Sequence, residues 1–188
     1  MKNAYLCGVV DGKGSFSISI KPHNTTKFGW VIDATFSLTL EKEAEHVLKA
    51  LQQALRCGRI IEKPGQPTNK SFIEQSRRNI AEKIIPFFER YPLEIKAKNF
   101  QYFKEVVERL ERKEHAKPES FLRLVVLTIT YNEAKGQKEY TINDILSSMK
   151  YKPKNAEQII KEELDKLSKR GLLPGSPEAI RRTPSEGE

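Results

Sequence analysis

The sequence predicts an α+β fold with an αββαββα core and extra C-terminal helices. Three observations carry this reading. An apolar run from Leu6 to Val10 stops at Asp11-Gly12-Lys13-Gly14 and gives way at once to alternation from Ser15 to Lys21. A second stretch, Trp30 to Leu40, alternates over its whole length. Glu41 to Arg56 then sets Ala44, Val47, Leu48, Leu51, Ala54 and Leu55 at helical spacing, with Gly58 as a stop just past the end.

Residues 3–11 read as the first helix. Gly8 and Gly12 lie four apart on one face, where bare backbone lets another helix approach closely. Gly12 and Gly14 are expected to supply the φ freedom for a sharp exit into the first strand. In that strand Phe16, Ile18 and Ile20 point one way and Ser17, Ser19 and Lys21 the other. Residues 22–29 form a polar loop with His23 and Lys27. The second strand turns Trp30, Ile32, Ala34, Phe36, Leu38 and Leu40 inward and Val31, Asp33, Thr35, Ser37 and Thr39 outward, as in a half-buried antiparallel sheet. A second hairpin is expected from Gly58 to Lys63 and from Lys70 to Ser76 around a Pro-Gly-Gln-Pro turn, although Glu74 falls where an apolar residue should point inward.

Asn79 to Tyr91 is a helical pattern that Pro86 should end or kink. Leu93 to Lys98 is a basic connector, and Asn99 to Lys113 is a helix with Phe100, Phe103, Val107 and Leu110 inward. Pro118 to Tyr131 is another helix, with proline in the first turn. Beyond a polar loop, Thr141 opens a short helix with Ile142, Ile145, Leu146 and Met149. Asn155 heads the last helix, with Ala156, Ile159, Ile160, Leu164 and Leu167 along it and Gly171 closing it. The tail from Pro174 to Glu188 has the composition of a disordered segment.

At 188 residues, with 38% hydrophobic and 31% charged residues, the chain can build one real core and suits a globular protein. Its formal net charge of +8 favours an anionic partner, nucleic acid first. Cys7 and Cys57 form no Cys-x-x-Cys pair and His23, His46 and His115 are scattered, which argues against a zinc site or a disulfide framework. The longest apolar runs are only a few residues, so no signal peptide or membrane span is read, and an intracellular, reducing compartment is expected.

Leu6, Gly8, Val9, Val10, Asp11, Gly12, Gly14, Ser15 and Phe16 resemble the signature of the LAGLIDADG homing endonucleases. The resemblance extends over about residues 3–130, through the Tyr-Pro-Leu-Glu-Ile-Lys-Ala-Lys connector at 91–98. It implies an endonuclease-like DNA-binding core at 1–131, a helical extension at 132–173 and a tail at 174–188. A single motif implies a homodimer that pairs through the motif helices, with Leu6, Cys7, Gly8, Val10 and Asp11 at the interface, on a long, roughly palindromic duplex. In the family's active form, intron-encoded hydrolases of this kind use Mg2+ held by the motif acids and by backbone oxygens near the turn, here the Gly12 carbonyl. The resemblance places Asp11, Lys13 and Lys96 in the catalytic positions. Lys13 stands where the family carries its metal-binding acid. A charged ammonium has no lone pair and repels a cation. Asp11 matches a residue that fixes the turn and helix end, and Lys96 matches a basic residue near the scissile phosphate.

A polar sheet face suits the major groove, where each base pair shows its own donor and acceptor pattern. That assigns Ser17, Ser19, Lys21, Asp33, Thr35, Ser37 and Thr39 to the bases, His23 and Lys27 to outer bases or phosphates, and Arg59 and Lys63 to an extension of the face. Two other readings stay open: an RNA maturase that assists group I intron splicing, or a non-catalytic DNA- or RNA-binding protein, including a ribonucleoprotein subunit. Intracellular placement means the cytoplasm, or an organelle if the gene is organellar.

Overall fold

A computed structural model describes residues 2–137 and 139–170 of the chain. The Gly171 stop and the 174–188 tail lie outside the described residues. Helix α1 (Asn3–Lys13) runs directly into strand β1 (Gly14–Pro22), and β2 (Trp30–Glu41) follows after a turn that carries Gly29 at φ +81°. A 3-10 turn at Lys42–Ala44 leads into α2 (Glu45–Leu55), then β3 (Arg59–Lys63) and β4 (Gln66–Glu74). The four strands form one mixed-sequence-order sheet, β1-β2-β4-β3, in which β2 and β3 both pair antiparallel with β4. The second hairpin turns more tightly than expected. Gln66 and Pro67 already belong to β4, and the turn narrows to Pro64 and Gly65, with Gly65 at φ +73°.

The exit from α1 works differently from the sequence expectation. Neither Gly12 nor Gly14 has a positive φ, and Gly14 is extended at φ −69°, ψ 156°. Gly14 is needed for space: a Cβ there would sit 2.7 Å from both Val10 Cγ1 and Val10 O. The Gly14 N–H closes the helix by donating to that same Val10 carbonyl. Gly58 needs its conformation as well, since it holds φ +80° with the Phe72 ring where a side chain would go.

Pro86 neither ends nor kinks its helix in the ordinary way. Helix α3 (Arg77–Asn79) widens into a π turn at Ile80–Ile84, and the winding continues without a break into α4 (Ile85–Arg90), with Pro86 at its second residue. The bond from Ile85 N–H to Ile80 O widens the ladder just ahead of the proline, so its missing N–H and its ring fall where the regular bonding pattern is already interrupted. Helix α5 (Ala97–Glu111) follows, then a 3-10 turn at Glu114–Ala116, α6 (Pro118–Ala134), α7 (Ile142–Ser148) and α8 (Ala156–Lys169). Thr141 makes a reciprocal capping box with Asp144, whereas Asn155 heads α8 without a side-chain capping bond.

The chain divides into two compact units. The first comprises Met1–Ile18 and Asp33–Arg112. Its core is aromatic: the Phe16 ring lies 5.0–5.6 Å, centroid to centroid, from Phe36, Phe88, Phe100 and Phe103. Leu48, Leu51 and Phe72 are fully buried in the same unit. Fully burying side chains of this size contributes about 1.5–3 kcal/mol each. The second unit comprises Ser19–Ile32 and the described part of Lys113–Glu188. Its centre is α6, which is buried on nearly all sides from Phe121 to Tyr131 apart from the half-buried Arg123, as a predominantly apolar sequence demands. Phe28 stacks on Phe121 at 4.9 Å, and Ile145, Ile159 and Leu167 close the unit from α7 and α8. Among the described residues no helix is long and apolar enough to cross a membrane.

Candidate nucleic-acid interface

In α1 the side chains that fill the core come first. Leu6, Cys7 and Val10 are 2%, 7% and 0% exposed within the single chain. The protomer's own core takes up most of these three side chains, and Cys7 keeps an edge on an open hollow. The outward side of the helix is made by Ala4, Tyr5, Gly8, Gly12 and Lys13, with Val9 and Asp11 half-buried. A methyl group added at Gly8 or Gly12 would meet nothing within 4 Å, so these glycines leave bare backbone facing outward. Ala4, Gly8 and Asp11 border an open hollow with Arg90, Tyr91 and Glu94.

Asp11 ends the helix and also ties it to the chain that leads into α5. One carboxylate oxygen accepts from the backbone N–H groups of Glu94 and Ile95, both at 2.9 Å, and the other from Lys96 N at 2.7 Å. Partial burial by itself would push the Asp11 carboxyl up. The amides of Ile95, Lys96 and Glu94, with the Lys96 charge, outweigh it and hold the pKa below its ordinary value of 3.8. Because the folded pKa is depressed, this stability is complete above the ordinary carboxylate range and is lost as pH falls through the folded value. Asp11→Asn is therefore expected to flatten the acid limb of a stability-versus-pH curve measured by urea titration. A variant curve parallel to that of the parent would remove Asp11 from the account. Asp11 and Lys96 are thus brought together, while the Lys13 side chain projects into solvent from the last turn of α1.

The polar side of the sheet is built by register. Directly opposed residues of an antiparallel pair share a face. Ser37 opposes Ile73, which opposes Arg59; Thr39 opposes Ser71, which opposes Ile61. Two cross-strand rows result, Ser37-Ile73-Arg59 and Thr39-Ser71-Ile61. The Thr39 and Ser71 hydroxyls lie 2.8 Å apart, and an Arg59 N–H donates to Gln75 Oε1 at 2.9 Å. Asp33 and Thr35 continue the outward side of β2, half-buried like Ser37 and Thr39. In β1 Ser17 is half-buried, with its hydroxyl 3.0 Å from that of Ser15. Lys63 falls past a register shift at Glu62 and pairs with Gln66, so it does not continue the rows that Arg59 joins. The contribution of β4, namely Asn69, Ser71 and Ile73, went unread in the sequence. Its alternation was there to be found, but it required Glu74 to be accepted as an inward residue.

Glu74 is indeed inward, at 6% exposure. Its Oε1 accepts from Gln75 N at 2.9 Å and Ser76 N at 2.8 Å, and its Oε2 from Gly58 N at 2.8 Å and Asn79 Nδ2 at 2.9 Å. Four donors make the buried carboxylate a knot that joins the end of β4 to the start of β3, next to Arg59 and Gln75. The neighbouring Cys57 thiol is pushed up to about 11 by burial and then by the Glu74 charge.

In the second unit, Ser19 and Lys21 face outward from the end of β1, and His23 and Lys27 are exposed in the loop that follows. His23 Nδ1 lies 3.0 Å from Thr25 Oγ1, and Lys27 Nζ donates to Ala116 O at 3.1 Å.

Residues 6–107 match the family model for the LAGLIDADG endonuclease. The chain belongs to this family. Among curated relatives, the LAGLIDADG chain is 28% identical over 146 residues to the homing endonuclease I-ApeII of Aeropyrum pernix, covering 76% of this chain and 86% of that one. It is 29% identical over 126 residues to the DNA endonuclease I-CeuI of Chlamydomonas moewusii, covering 65% of this chain and 58% of that one. Among solved structures, I-CeuI complexed with DNA matches at a TM-score of 0.71 and 25% identity, covering 78% of this chain and 74% of that one. The archaeal intron-encoded I-Vdi141I complexed with DNA matches at 0.66 and 27%, covering 88% and 96%.

The LAGLIDADG turn of this chain does not fit a divalent ion. Lys13 offers no lone pair, and both Asp11 oxygens are already held by backbone amides. Among the described residues, no three His, Cys, Asp or Glu side chains cluster to hold one.

Proposed function

We propose that this chain recognises a long, roughly palindromic duplex DNA site as a homodimer, on a homing-endonuclease scaffold in which Lys13 withholds metal-dependent cleavage. The observation that carries the reading is the pair of in-register rows on one sheet face, of which Ser37-Ile73-Arg59 ends on an exposed guanidinium and Thr39-Ser71-Ile61 offers the half-buried Thr39 hydroxyl beside a buried Ser71. Relatives whose solved structures hold DNA support it. Residues 1–131 would form the binding core, with Ser17, Ser19, Lys21, Asp33, Thr35, Ser37, Thr39 and Arg59 over the bases. Lys63, His23 and Lys27 would lie at the margins and Lys96 beside the central phosphates. The helices of 132–173 would be an addition to that core.

Dimerisation in this reading uses the bare outward side of α1. Each helix presents Ala4, Gly8 and Gly12 at four-residue spacing, so two backbones can approach closely.

The test is selection from a randomised duplex library, followed by sedimentation of the complex. Two chains per duplex are expected. Arg59→Ala should cost about 1–3 kcal/mol and relax preference at one base pair in each half-site. Gly8→Ala separates assembly from folding. The added methyl group is free of contacts in the protomer and raises helix propensity by about 1 kcal/mol, so the chain should melt higher yet dimerise more weakly. Failure to select any duplex would end the proposal.

A further inference from the structure

We infer that the loop Tyr151–Asn155, between α7 and α8, is a second nucleic-acid contact that grips the phosphate backbone of duplex DNA. The inference rests on the DNA-binding function proposed above and adds a surface to it.

Lys150 fastens this loop to the β1–β2 loop. Its backbone N–H donates to Phe28 O at 3.2 Å, and its ammonium donates to Asn24 O. Its aliphatic stem lies over Gly29, where a Cβ would come 3.5 Å from Lys150 Cγ. Two residues earlier in the chain, Ser148 accepts from Trp30 Nε1 at 3.1 Å. These contacts all fall inside the second unit, and they set the α7–α8 loop beside His23 and Lys27. Lys150 is thereby used as a fastener.

The lysines that follow are not so used. Lys152 and Lys154 are exposed, flank a buried Pro153 and have no ion-pair or hydrogen-bond partner among the described residues. Tyr151 beside them is 62% exposed. The open hollow next to the loop is bordered by Asn143, Ser147, Asn155 and Gln158, neutral side chains that can donate to phosphate oxygens, and by one acid, Glu157. Acidic residues further along α8 are already matched: Glu162 and Glu163 by Arg123, and Asp165 by Lys169. Two exposed lysines against the single exposed carboxylate of Glu157 on the same hollow leave the anchored turn net positive. Phosphate rather than base edges is the fitting ligand, because an ammonium on a flexible stem acts as a point charge.

The test measures affinity of the full chain for its selected duplex across a range of salt concentrations, for the parent, for Lys152→Gln/Lys154→Gln and for Lys152→Arg/Lys154→Arg. Two lost phosphate contacts should reduce the slope of log affinity against log salt by roughly 1.8 and weaken binding on the order of tenfold at physiological salt. Base preference should not change, and the arginine pair should restore both values. An unchanged slope in a parent that binds specifically would overturn this inference and leave the proposed function standing. A parent with no specific duplex binding would overturn both. A loss confined to a structured RNA of equal length would overturn the assignment to duplex DNA.

Discussion

Lys13→Glu is expected to cut its selected duplex in magnesium, where the parent chain leaves the same duplex intact. Lys13 closes α1 and its side chain is exposed, so exchanging it disturbs no buried contact. The electrostatic change is large. A unit positive charge about 4 Å from a divalent ion opposes it by roughly 8 kcal/mol at an effective dielectric of 20, and glutamate reverses the sign. A metal held there would stabilise charge on the attacking and leaving oxygens of phosphodiester hydrolysis. A gain in cleavage of about a thousandfold follows even if only about a quarter of that reversal, roughly 4 kcal/mol, is realised. Lys13→Gln separates repulsion from ligation: it removes the ammonium without supplying an anion, and should bind the duplex without cutting it. In metal-free buffer Lys13→Glu should bind more weakly than the parent, since it sets a carboxylate against the phosphates. A Lys13→Glu chain that binds its site fully in magnesium yet never nicks it would show that something other than Lys13 withholds the reaction.

Glu74→Ala is expected to produce the largest loss of stability among single changes near the sheet. Truncation leaves the N–H groups of Gly58, Gln75 and Ser76 and the Asn79 amide without their acceptor. With unsatisfied buried donors costing about 1–3 kcal/mol each and some of these reaching water, a net loss of about 3 kcal/mol is expected. In a chain of this length that corresponds to a melting temperature lower by roughly 10 °C, read by circular dichroism. Glu74→Gln keeps one oxygen but turns an NH2 group toward two donors, so it should fall between. The loss would reach the polar face too, because the same knot holds the strand ends that carry Arg59 and Gln75. Wild-type melting of the alanine variant would mean that water replaces all four bonds.

How much of this was legible in the sequence depended on the range of the interaction. The alternation of β1 and β2 and the helical spacing of α2 and α5 are local signals, and they place Phe16, Phe36, Leu48 and Phe103 in the core. Asp11 was readable as a turn-fixing residue through its motif, though the amides it captures lie more than eighty residues away. Glu74 looked like an error because its four donors come from a helix, a turn and the start of another strand, none of which a period of two can reveal. The burial of Leu6, Cys7 and Val10 within the protomer is hard to read from sequence for a similar reason. Glycine breaks the apolar stripe, so the helix has no strong polarity from which to tell core from surface. The fastening of the α7–α8 loop by Lys150 depends on a contact 126 residues long, and a lysine in a polar loop carries no sign of it.

The π turn at Ile80–Ile84 has a consequence for how this segment tolerates changes in length. A π turn holds one residue more than the regular winding while leaving the helix on either side in phase. Ile80, Ile84, Ile85 and Phe88 can therefore all be buried, although Ile84 and Ile85 are adjacent. Removing one residue from 81–83 would restore regular winding without rotating Phe88 away from Phe16 and Phe36. What forbids the shorter form is Pro86, whose ring would then meet a carbonyl one turn back at a cost of about 3 kcal/mol. The extra residue and the proline are thus a linked pair: a deletion here becomes neutral only in a chain that has already lost its proline.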